Sequence, residues 1–370
     1  MVCEYNPFHN GHAYQIKQIR ETLGKPVVCA MSGSFVQRGE PACMPKTARA
    51  ESAVKHSASV VLEIPFPYTC LTAEKFAEAG VRLLDACGMC SHIAFGSECA
   101  DVGLLSELAA ALSEKEIIKS IQVYQKEHPA LSYARARSAV LTAHFGTKAA
   151  VCENPNDILG IEYIKAIRRL SSELIPVALA RSVDRKAAPN GVFASSSLVR
   201  TLAGDGEFDR AAEFLPDHSA MEFLENYHPQ NFRKAVYLLL LSKSKEQLAI
   251  CEEYAGGLEN AVYHAVQTAG NYEKTVEALR CKTLTDAKIR RLLLFGALGV
   301  TKEQASAPLL YTGILDSSSD PEALELLRLA RHDRKIPLAR RVGSVRKDKN
   351  AARQYDYNAL AERILAASEQ

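Results

Sequence analysis

The sequence predicts an α/β protein in which a Rossmann-like parallel sheet is followed by an all-helical domain. Three short runs, beginning at Lys25, Ala58 and His92, are apolar almost throughout. Stretches with the spacing of amphipathic helices separate these runs. Strands that are apolar on both faces and alternate with helices indicate a parallel sheet that is covered on both sides.

The remaining elements follow from the same patterns. Helices are predicted at residues 12–22, 47–56 and 72–87, and the pattern from 101 to 170 is again mostly helical. The run ELIPVALAR, from Glu173, predicts a returning strand, and the serines of SSSLVRTLAG are typical of a helix start. After about Gly204 no strand pattern recurs, and the apolar spacing there predicts helices only.

This change of pattern predicts two domains, since 370 residues exceed what one compact core usually holds. The predicted boundary separates an α/β domain of residues 1–204 from a helical domain of residues 205–370. The chain is 47% apolar and 24% charged, without an apolar run near the ~18 residues that span a bilayer. These features predict a cytoplasmic protein with no membrane partner. The net charge of +2 implies no particular partner, and the oligomeric state stays open.

The beginning of the chain is unusual for such a fold. Only Met1, Val2 and Cys3 precede the first loop, whereas a buried strand usually has five or six residues. Either the first strand is very short, or the chain starts late, at an internal methionine. We favour the late start, because a short central strand would leave backbone groups of its neighbour unpaired.

The ten cysteines have no regular spacing and indicate a reducing compartment rather than a disulfide framework. The cluster CGMCSH, with Cys87, Cys90 and His92, resembles half of a zinc site. A structural zinc site usually needs a second pair of ligands, and the sequence has no other CxxC, although Cys99 is within reach. We therefore predict no metal there, and expect small buried thiols instead.

Two histidines three residues apart open the first predicted helix, in the string HNGH. A helix N-terminus after a parallel strand offers unpaired amides and partial positive charge, which suits phosphate. Gly11 permits close approach of a ligand, and His9 and His12 can donate hydrogen bonds, with a charge that is tunable near neutral pH. The alternative is a turn with two surface histidines.

A second phosphate site is indicated by FASSSLVRTL, where Ser195, Ser196 and Ser197 precede Arg200 by about one turn. Hydroxyl groups, helix amides and an arginine can together hold a leaving pyrophosphate. The alternative is an ordinary N-cap. The combination of HxGH after the first strand with SSxxxR after the last resembles the HIGH-motif nucleotidylyltransferase superfamily, which implies a HUP-like fold and attack on the α-phosphate of ATP.

Longer motifs resemble those of the tRNA(Met) cytidine acetate ligase family, and the resemblance extends over essentially the whole chain. They are EYNPFHNGH (4–12), MSGSFVQRGEPA (31–42), LEIPFPY (62–68), FGSE (95–98) and PNDILGIEYIKAI (155–167). The resemblance implies activation of acetate by ATP to acetyl-adenylate, with ATP binding and catalysis in residues 1–204 and tRNA binding in residues 205–370. It also implies acetyl transfer to N4 of the wobble cytidine of elongator tRNA(Met), which forms N4-acetylcytidine.

Carried over to this sequence, the family pattern implies His9, His12 and Arg200 as catalytic residues. The implied ATP contacts are Val2, Cys3, Glu4, Tyr5, Asn6, Pro7, Phe8, His9, Asn10, Gly11, His12, Ala13, Tyr14, Gln15, Gly96, Asn156, Arg181, Ser195 and Ser197. Two departures from the pattern stand out. The chain has Pro-Asn-Asp where Pro-Asn-Asn is common, so Asn154 stays an alternative to Asn156. FASSSLVR replaces FASATxIR but retains the hydroxyl and the arginine.

The loop SFVQRGEPA also lies at the carboxyl end of a predicted strand. Gln37 and Arg38 are our candidates for binding the acetate carboxylate. The alternative is a loop held together by an Arg38–Glu40 contact. Beyond it, Lys46 and Arg49 could touch phosphate or lie solvated on a helix.

The implied chemistry needs ATP as substrate, with Mg²⁺ bridging its phosphates, and it needs no covalent enzyme intermediate. The sequence names no general base for the cytidine amine. For tRNA, residues 331–353 hold nine Lys or Arg against two Asp, and Arg340, Arg341 and Lys347 are the chosen candidates for backbone contacts.

Two other functions stay open at this stage. An adenylyltransferase or small-molecule ligase of the same superfamily would share HNGH, but would need neither a large helical domain nor a basic segment. A tRNA-binding protein with a vestigial nucleotide site would retain tRNA without acetate-dependent turnover.

Overall fold

The computed structural model describes residues 1–181, 191–281, 283–339 and 345–369. Its strands are β1 (Val2–Cys3), β2 (Val28–Ser32), β3 (Phe35–Val36), β4 (Glu40–Pro41), β5 (Val60–Ile64), β6 (His92–Ser97), β7 (Ile175–Ala180), β8 (Thr312–Ser317) and β9 (Leu338–Ala339). The strands predicted at Lys25, Ala58, His92 and Glu173 are confirmed as β2, β5, β6 and β7.

The helices that precede residue 205 are α1 (Asn10–Leu23), α2 (Lys46–Lys55), α3 (Ala73–Ala86), α4 (Val102–Ala111), α5 (Lys115–Glu127), α6 (Tyr133–Phe145), α7 (Pro155–Leu170) and α8 (Ser196–Gly204). Those that follow are α9 (Phe208–Ala212), α10 (Met221–Glu225), α11 (Pro229–Leu241), α12 (Lys245–Ala249), α13 (Leu258–Ala269), α14 (Tyr272–Leu279), α15 (Asp286–Leu298), α16 (Lys302–Ser306), α17 (Pro321–Asp333) and α18 (Lys349–Ser368). The helical C-terminal region is confirmed.

The main sheet has the strand order β1-β2-β5-β8-β9. Its first three strands are parallel, with Val2 opposite Ala30 and Val28 opposite Val60. Strands β6 and β7 form a separate parallel pair, in register from His92 opposite Ile175. The parallel sheet predicted from the apolar runs is therefore confirmed.

Both faces of β2 are covered, which explains why its sequence is apolar without alternation. Val28 and Ala30 pack in one core, which also holds residues of α3 and α7. Cys29 and Met31 pack in the other, together with Ile16 of α1 and with residues from β6 and β7. The two-residue β1 is held at its beginning by the amino group of Met1, which donates to the carbonyl of Val28 at 2.7 Å.

The region after residue 204 also contributes to the sheet, which the sequence analysis missed. Strand β8 pairs with β5 in the antiparallel sense, with Val60 opposite Ser317. Its sequence, TGILDS, contains a glycine and three polar residues and lacks the continuous apolar run of the other strands. Helix α18 contacts the end of β5, where the Asn358 side chain accepts from the amide of Phe66 at 2.9 Å. The division of the chain at residue 204 stays a prediction.

Among the described residues, none of the helices combines the length and the apolar character needed to cross a membrane.

Candidate functional site

The first loop connects β1 to α1 and places HNGH at the helix start. His9 is the N-cap of α1, and its Nδ1 atom accepts from the amide of Gly11 at 3.0 Å. The amide of His9 in turn donates to Nδ1 of His12 at 3.3 Å. Tyr5 adopts a left-handed backbone conformation, with φ of 52°, and its buried ring packs edge-on against Phe8 and His12. Packing of this ring offsets the cost of the strained backbone.

The two imidazole rings are stacked, with centroids 3.7 Å apart. Burial, followed by the positive charges of Arg181 and Arg200, lowers the pKa of His9 to about 3. Burial also lowers the pKa of His12 well below its usual value, with contributions from His9 and Arg181. Because each Nδ1 accepts a hydrogen bond, each neutral ring carries its proton on Nε2. The rings are therefore neutral donors, and the expectation of a charge tunable near neutral pH is wrong for this state.

The serine helix α8 meets the first loop. Ser195 is its N-cap, with Oγ accepting from the amide of Leu198 at 3.2 Å. The Arg200 guanidinium donates to the carbonyl of Asn6 and, at 3.5 Å, to Oγ of Ser197. On the other side of the loop, Asn10 Nδ2 donates to the carbonyl of Val192 at 3.0 Å. HNGH and the serine helix thus border one crevice, as the sequence analysis required.

The opposite wall of the crevice is Gly96, the fifth residue of β6. A Cβ atom at this position would lie 3.2 Å from Cγ of Arg181 and 3.4 Å from Nε2 of Gln15. Gln15 belongs to α1, and Arg181 directly follows β7. Three of the predicted ATP contacts, from three separate segments, therefore lie together beside the histidines.

The predicted asparagine of PND also lies at this wall. Asn156 Nδ2 donates to Glu98 Oε1 at 2.5 Å, directly after β6. The rival Asn154 is the N-cap residue of α7, and its Nδ2 donates to Oδ2 of Asp157 at 2.9 Å. Asp157 is fully buried and accepts from the hydroxyl of Ser97 and the amide of Glu98. Asn156 is therefore the one that contacts the FGSE segment directly, while Asp157 fixes the backbone of that segment.

The other residues of the first loop that were predicted to contact ATP differ in their burial. Tyr5, Pro7 and Phe8 are buried, and Asn6 accepts from the amide of Cys43 at 2.7 Å. Tyr14 is 38% exposed and lies 5.4 Å from the ring of Phe193, in the segment before α8. The remaining members, Val2, Cys3, Glu4, Asn10, Gly11 and Ala13, are partly buried.

Comparison with known proteins decides the family. A model of the family described as HIGH Nucleotidyl Transferase matches residues 1–370. A tRNA(Met) cytidine acetate ligase of Acetivibrio thermocellus is 35% identical over 322 residues, which cover 82% of this chain and 77% of the relative. The chain belongs to this ligase family.

Further relatives support the assignment. The tRNA(Met) cytidine acetate ligase of Syntrophotalea carbinolica is 32% identical over 91% of this chain and 83% of its own length. The crystal structure of Thermotoga maritima TmcAL bound with alpha-thio ATP has a TM-score of 0.88 at 29% identity, and it covers 97% of this chain and 92% of that chain. The predicted family and fold class are therefore confirmed for this ligase-family chain.

The loop proposed for acetate is held by contacts that the sequence did not predict. The Gln37 amide donates to Glu4 Oε1 at 2.6 Å, and Gln37 Nε2 donates to the carbonyl of Leu71 at 3.1 Å. Arg38 is exposed, and Glu40 pairs instead with Arg233 and Arg290 of the helical region, each at 3.2 Å. An Arg38–Glu40 contact is therefore wrong as the alternative, and the acetate role of Gln37 and Arg38 stays a prediction.

Arg49 is the residue that the sequence analysis undervalued most. It is fully buried on α2, and its guanidinium donates to four backbone carbonyls. They are those of Glu4 at 2.6 Å, Ser32 at 3.1 Å, Met44 at 3.1 Å and Gly33. Lys46 pairs with Glu63 at 2.8 Å and with Glu362 of α18 at 2.5 Å. Neither cation is solvated on the helix, and Arg49 joins the ends of β1 and β2.

The remaining predicted residues lie away from this crevice. Cys87 and Cys90 have sulfur atoms 3.8 Å apart, and His92 Nδ1 lies 2.8 Å from the hydroxyl of Ser91. Within the described ranges, no three His, Cys, Asp or Glu side chains gather as metal ligands would. Lys347 is exposed just before α18, whereas Arg340 and Arg341 lie outside the described residues.

Proposed function

We propose that this chain is an ATP-dependent ligase that activates acetate and transfers the acetyl group to N4 of the wobble cytidine of elongator tRNA(Met). The observation that carries the proposal is the hydrogen bond from Arg200 to the carbonyl of Asn6. It joins the serine helix to the HNGH loop, so that two helix N-termini, two neutral imidazoles and a guanidinium border one crevice. Membership of the ligase family supplies the substrates.

In the first step, an acetate oxygen attacks the α-phosphorus of ATP and pyrophosphate leaves. The Nε2 protons of His9 and His12 and the amides of α1 would donate to oxygens of the reacting phosphate. Arg200 and Ser197, at the start of α8, would hold the leaving pyrophosphate. Magnesium would enter with ATP and would neutralise part of the charge of its phosphates.

The nucleoside would lie on the other wall of the crevice, against Gly96, with Gln15, Asn156 and Arg181 around it. The absence of a side chain at Gly96 allows a flat ring or a ribose to approach the backbone closely. Neutral histidines suit this site, because they donate without adding a proton that the adenylate could later take up.

In the second step, the cytidine amine attacks the acyl carbonyl and AMP leaves. An anticodon base must be unstacked before it can enter the crevice. The basic segment around Lys347 is the proposed contact for the tRNA backbone, together with Arg340 and Arg341. We place the reaction in the cytoplasm, and assign catalysis to residues 1–204 and tRNA binding mainly to 205–370.

The test follows both half-reactions. Purified protein with ATP and labelled pyrophosphate should show exchange that depends on acetate. With labelled acetate and methionine tRNA, nuclease digestion should release N4-acetylcytidine. His12→Ala should abolish both signals, while Lys17→Ala, on the exposed face of the same helix, should change neither.

Two other results would replace the proposal. Exchange that depends on another small acid or on a phosphorylated metabolite, without labelled tRNA, would indicate a small-molecule ligase or adenylyltransferase. Tight tRNA binding that is unaffected by His12→Ala, without turnover, would indicate a tRNA-binding protein.

A further inference from the structure

Glu4 is the carboxylate of the first loop, and it directly follows β1. Neighbouring residues of β1 and the loop alternate between the two faces of the sheet. Val2 contacts α3, since a Cβ on Gly80 would lie 2.6 Å from its side chain. Tyr5 faces α1 and touches His12. Glu4 lies on the α3 side, where its Oε1 accepts from the amide of Gln37 at 2.6 Å.

Both ends of this residue are held in place. The buried Arg49 guanidinium donates to the Glu4 carbonyl at 2.6 Å. The Gln37 side chain continues to the carbonyl of Leu71, just before α3, at 3.1 Å. Glu4 is only partly buried, and the Gln37 amide is the single donor to its carboxylate among the described residues. Its second oxygen, Oε2, is therefore available to a ligand.

The chemistry of the three substrates decides what that ligand is. ATP and acetate are both anions, and a carboxylate beside either would raise its energy by like-charge repulsion. The cytosine amine is the one reacting group that brings N–H donors. Carboxylates accept from cytosine N4 in nucleic-acid recognition for the same reason.

We propose that Glu4 receives the N4 amine of the acceptor cytidine through its free carboxylate oxygen and takes up the proton that this amine loses. This rests on the proposed function and revises the earlier count of Glu4 among the ATP contacts. The N4 lone pair forms the new bond to the acetyl carbon, and the bond from that carbon to the AMP oxygen breaks. One N4 proton passes to Glu4 and then to solvent, so the products are N4-acetylcytidine, AMP and a proton.

The two half-reactions therefore depend on different residues around the same loop. His9, His12 and Arg200 serve activation, and Glu4 serves transfer. The cytidine amine is a weak nucleophile. When its N–H donates a hydrogen bond to the Glu4 carboxylate, the electron density on the nitrogen rises, and the amine becomes more nucleophilic.

Glu4→Gln tests the assignment with little disturbance, because the amide oxygen can still accept from the Gln37 backbone. Acetate-dependent ATP–pyrophosphate exchange should stay within about threefold of wild type, whereas N4-acetylcytidine formation should fall about 10²–10⁴-fold, the usual size of a lost general base. Hydroxylamine, a nucleophile that needs no base, should yield acetohydroxamate at the wild-type rate.

Glu98→Gln is the matched control on the nucleotide side, where Glu98 accepts from Asn156 and from the amide of Asp157. It should lower exchange and tRNA acetylation together. Equal losses of both half-reactions in Glu4→Gln would show that Glu4 acts in activation, for example through Mg²⁺, and would overturn the assignment. Unchanged tRNA acetylation would overturn it as well. Wild-type protein without acetate-dependent exchange would instead refute the proposed function itself.

Discussion

Two arginines hold the first loop from opposite sides, and they do so in different ways. Arg49, on α2, has no exposed surface and donates to the carbonyls of Glu4, Ser32, Gly33 and Met44. Arg200, on α8, is partly exposed, and among the described residues it donates to the carbonyl of Asn6 and, at a longer distance, to Oγ of Ser197. Both guanidinium groups therefore contact the first loop, residues 4–9, at carbonyls that are two residues apart.

The difference shows what each arginine can still do. A guanidinium has five N–H donors, and those of Arg49 form hydrogen bonds with backbone carbonyls that would otherwise be buried without partners. Arg200 retains donors and exposure, so it can exchange part of its contacts for phosphate oxygens. Burial thus explains why Arg49 has a structural role, and partial exposure is consistent with the proposed phosphate-binding role of Arg200.

The largest expected effect is on folding, from Arg49→Met. Four backbone carbonyls would lose their donor, and each buried group left unsatisfied costs at least about 1 kcal/mol, so the free energy of unfolding should fall by about 4 kcal/mol or more. Denaturant unfolding followed by circular dichroism measures this loss.

The control is Arg82→Met, which removes an i,i+4 pair with Glu78 on the surface of α3. Its loss should be about 0.5 kcal/mol or less. If the free energy of unfolding fell by similar amounts in the two variants, the hydrogen bonds of Arg49 would not stabilise the fold as described.

The second effect is on catalysis, from Arg200→Ala. The protein should fold, with a melting temperature within a few degrees of wild type, because the side chain is only partly buried. Acetate-dependent ATP–pyrophosphate exchange should fall about 10²–10³-fold, as expected when one donor to a reacting phosphate is lost. A variant that exchanges at the wild-type rate would place the phosphates elsewhere.

The third effect is on the pH dependence of stability, through the buried His9, which lies near Arg200 and Arg181. The pKa of His9 is about 3 in the folded chain and near 6.5 when unfolded. Between these values the unfolded chain binds more protons, so stability is complete above pH 6.5 and falls as the pH is lowered. The slope contributed by His9 approaches about 1.4 kcal/mol per pH unit.

Unfolding curves at pH 7 and pH 5 measure this slope. His9→Asn keeps a side-chain acceptor for the helix start, so it should reduce the loss between the two pH values without removing the cap. An identical loss in wild type and variant would show that His9 does not titrate as described.

The smallest effect concerns the basic segment proposed for tRNA, which extends the comparison to other cations of the chain. Charge reversal of Arg340, Arg341 and Lys347 together should weaken tRNA binding by about tenfold and flatten its salt dependence, because phosphate contacts are lost. ATP affinity and the melting temperature should stay unchanged. Filter binding at two salt concentrations tests this, and an equal loss of ATP binding would assign the segment to folding instead.

Local patterns were sufficient for much of the fold. The apolar runs predicted β2, β5, β6 and β7, and the helices that were expected at 12–22, 47–56 and 72–87 begin and end within a few residues of those bounds. Strand β8 was missed because TGILDS is not continuously apolar, and its pairing with β5 comes from a segment about 250 residues later in the chain. Strand pairing between segments so far apart in the chain produces no local periodicity from which it could be predicted.

The candidate site was predicted in part for the same reason. HNGH and SSSLVR are local motifs, and each one forms the start of a helix. Both could therefore be found in the sequence. The pairing of Glu40 with Arg233 and Arg290, and of Lys46 with Glu362, could not be found. Which charges pair depends on which side chains lose water together, and this is a property of the assembled fold.

The sequence by itself predicted strands β2, β5, β6 and β7, the helix starts at HNGH and SSSLVR, and the family. Tertiary structure alone decided that the histidines are neutral, that Arg49 holds backbone carbonyls rather than a ligand, and that the Glu4 carboxylate accepts from the amide of Gln37. The physical reason is that residue type sets which bonds a group can form, whereas burial and neighbouring charge set which bonds remain for a substrate.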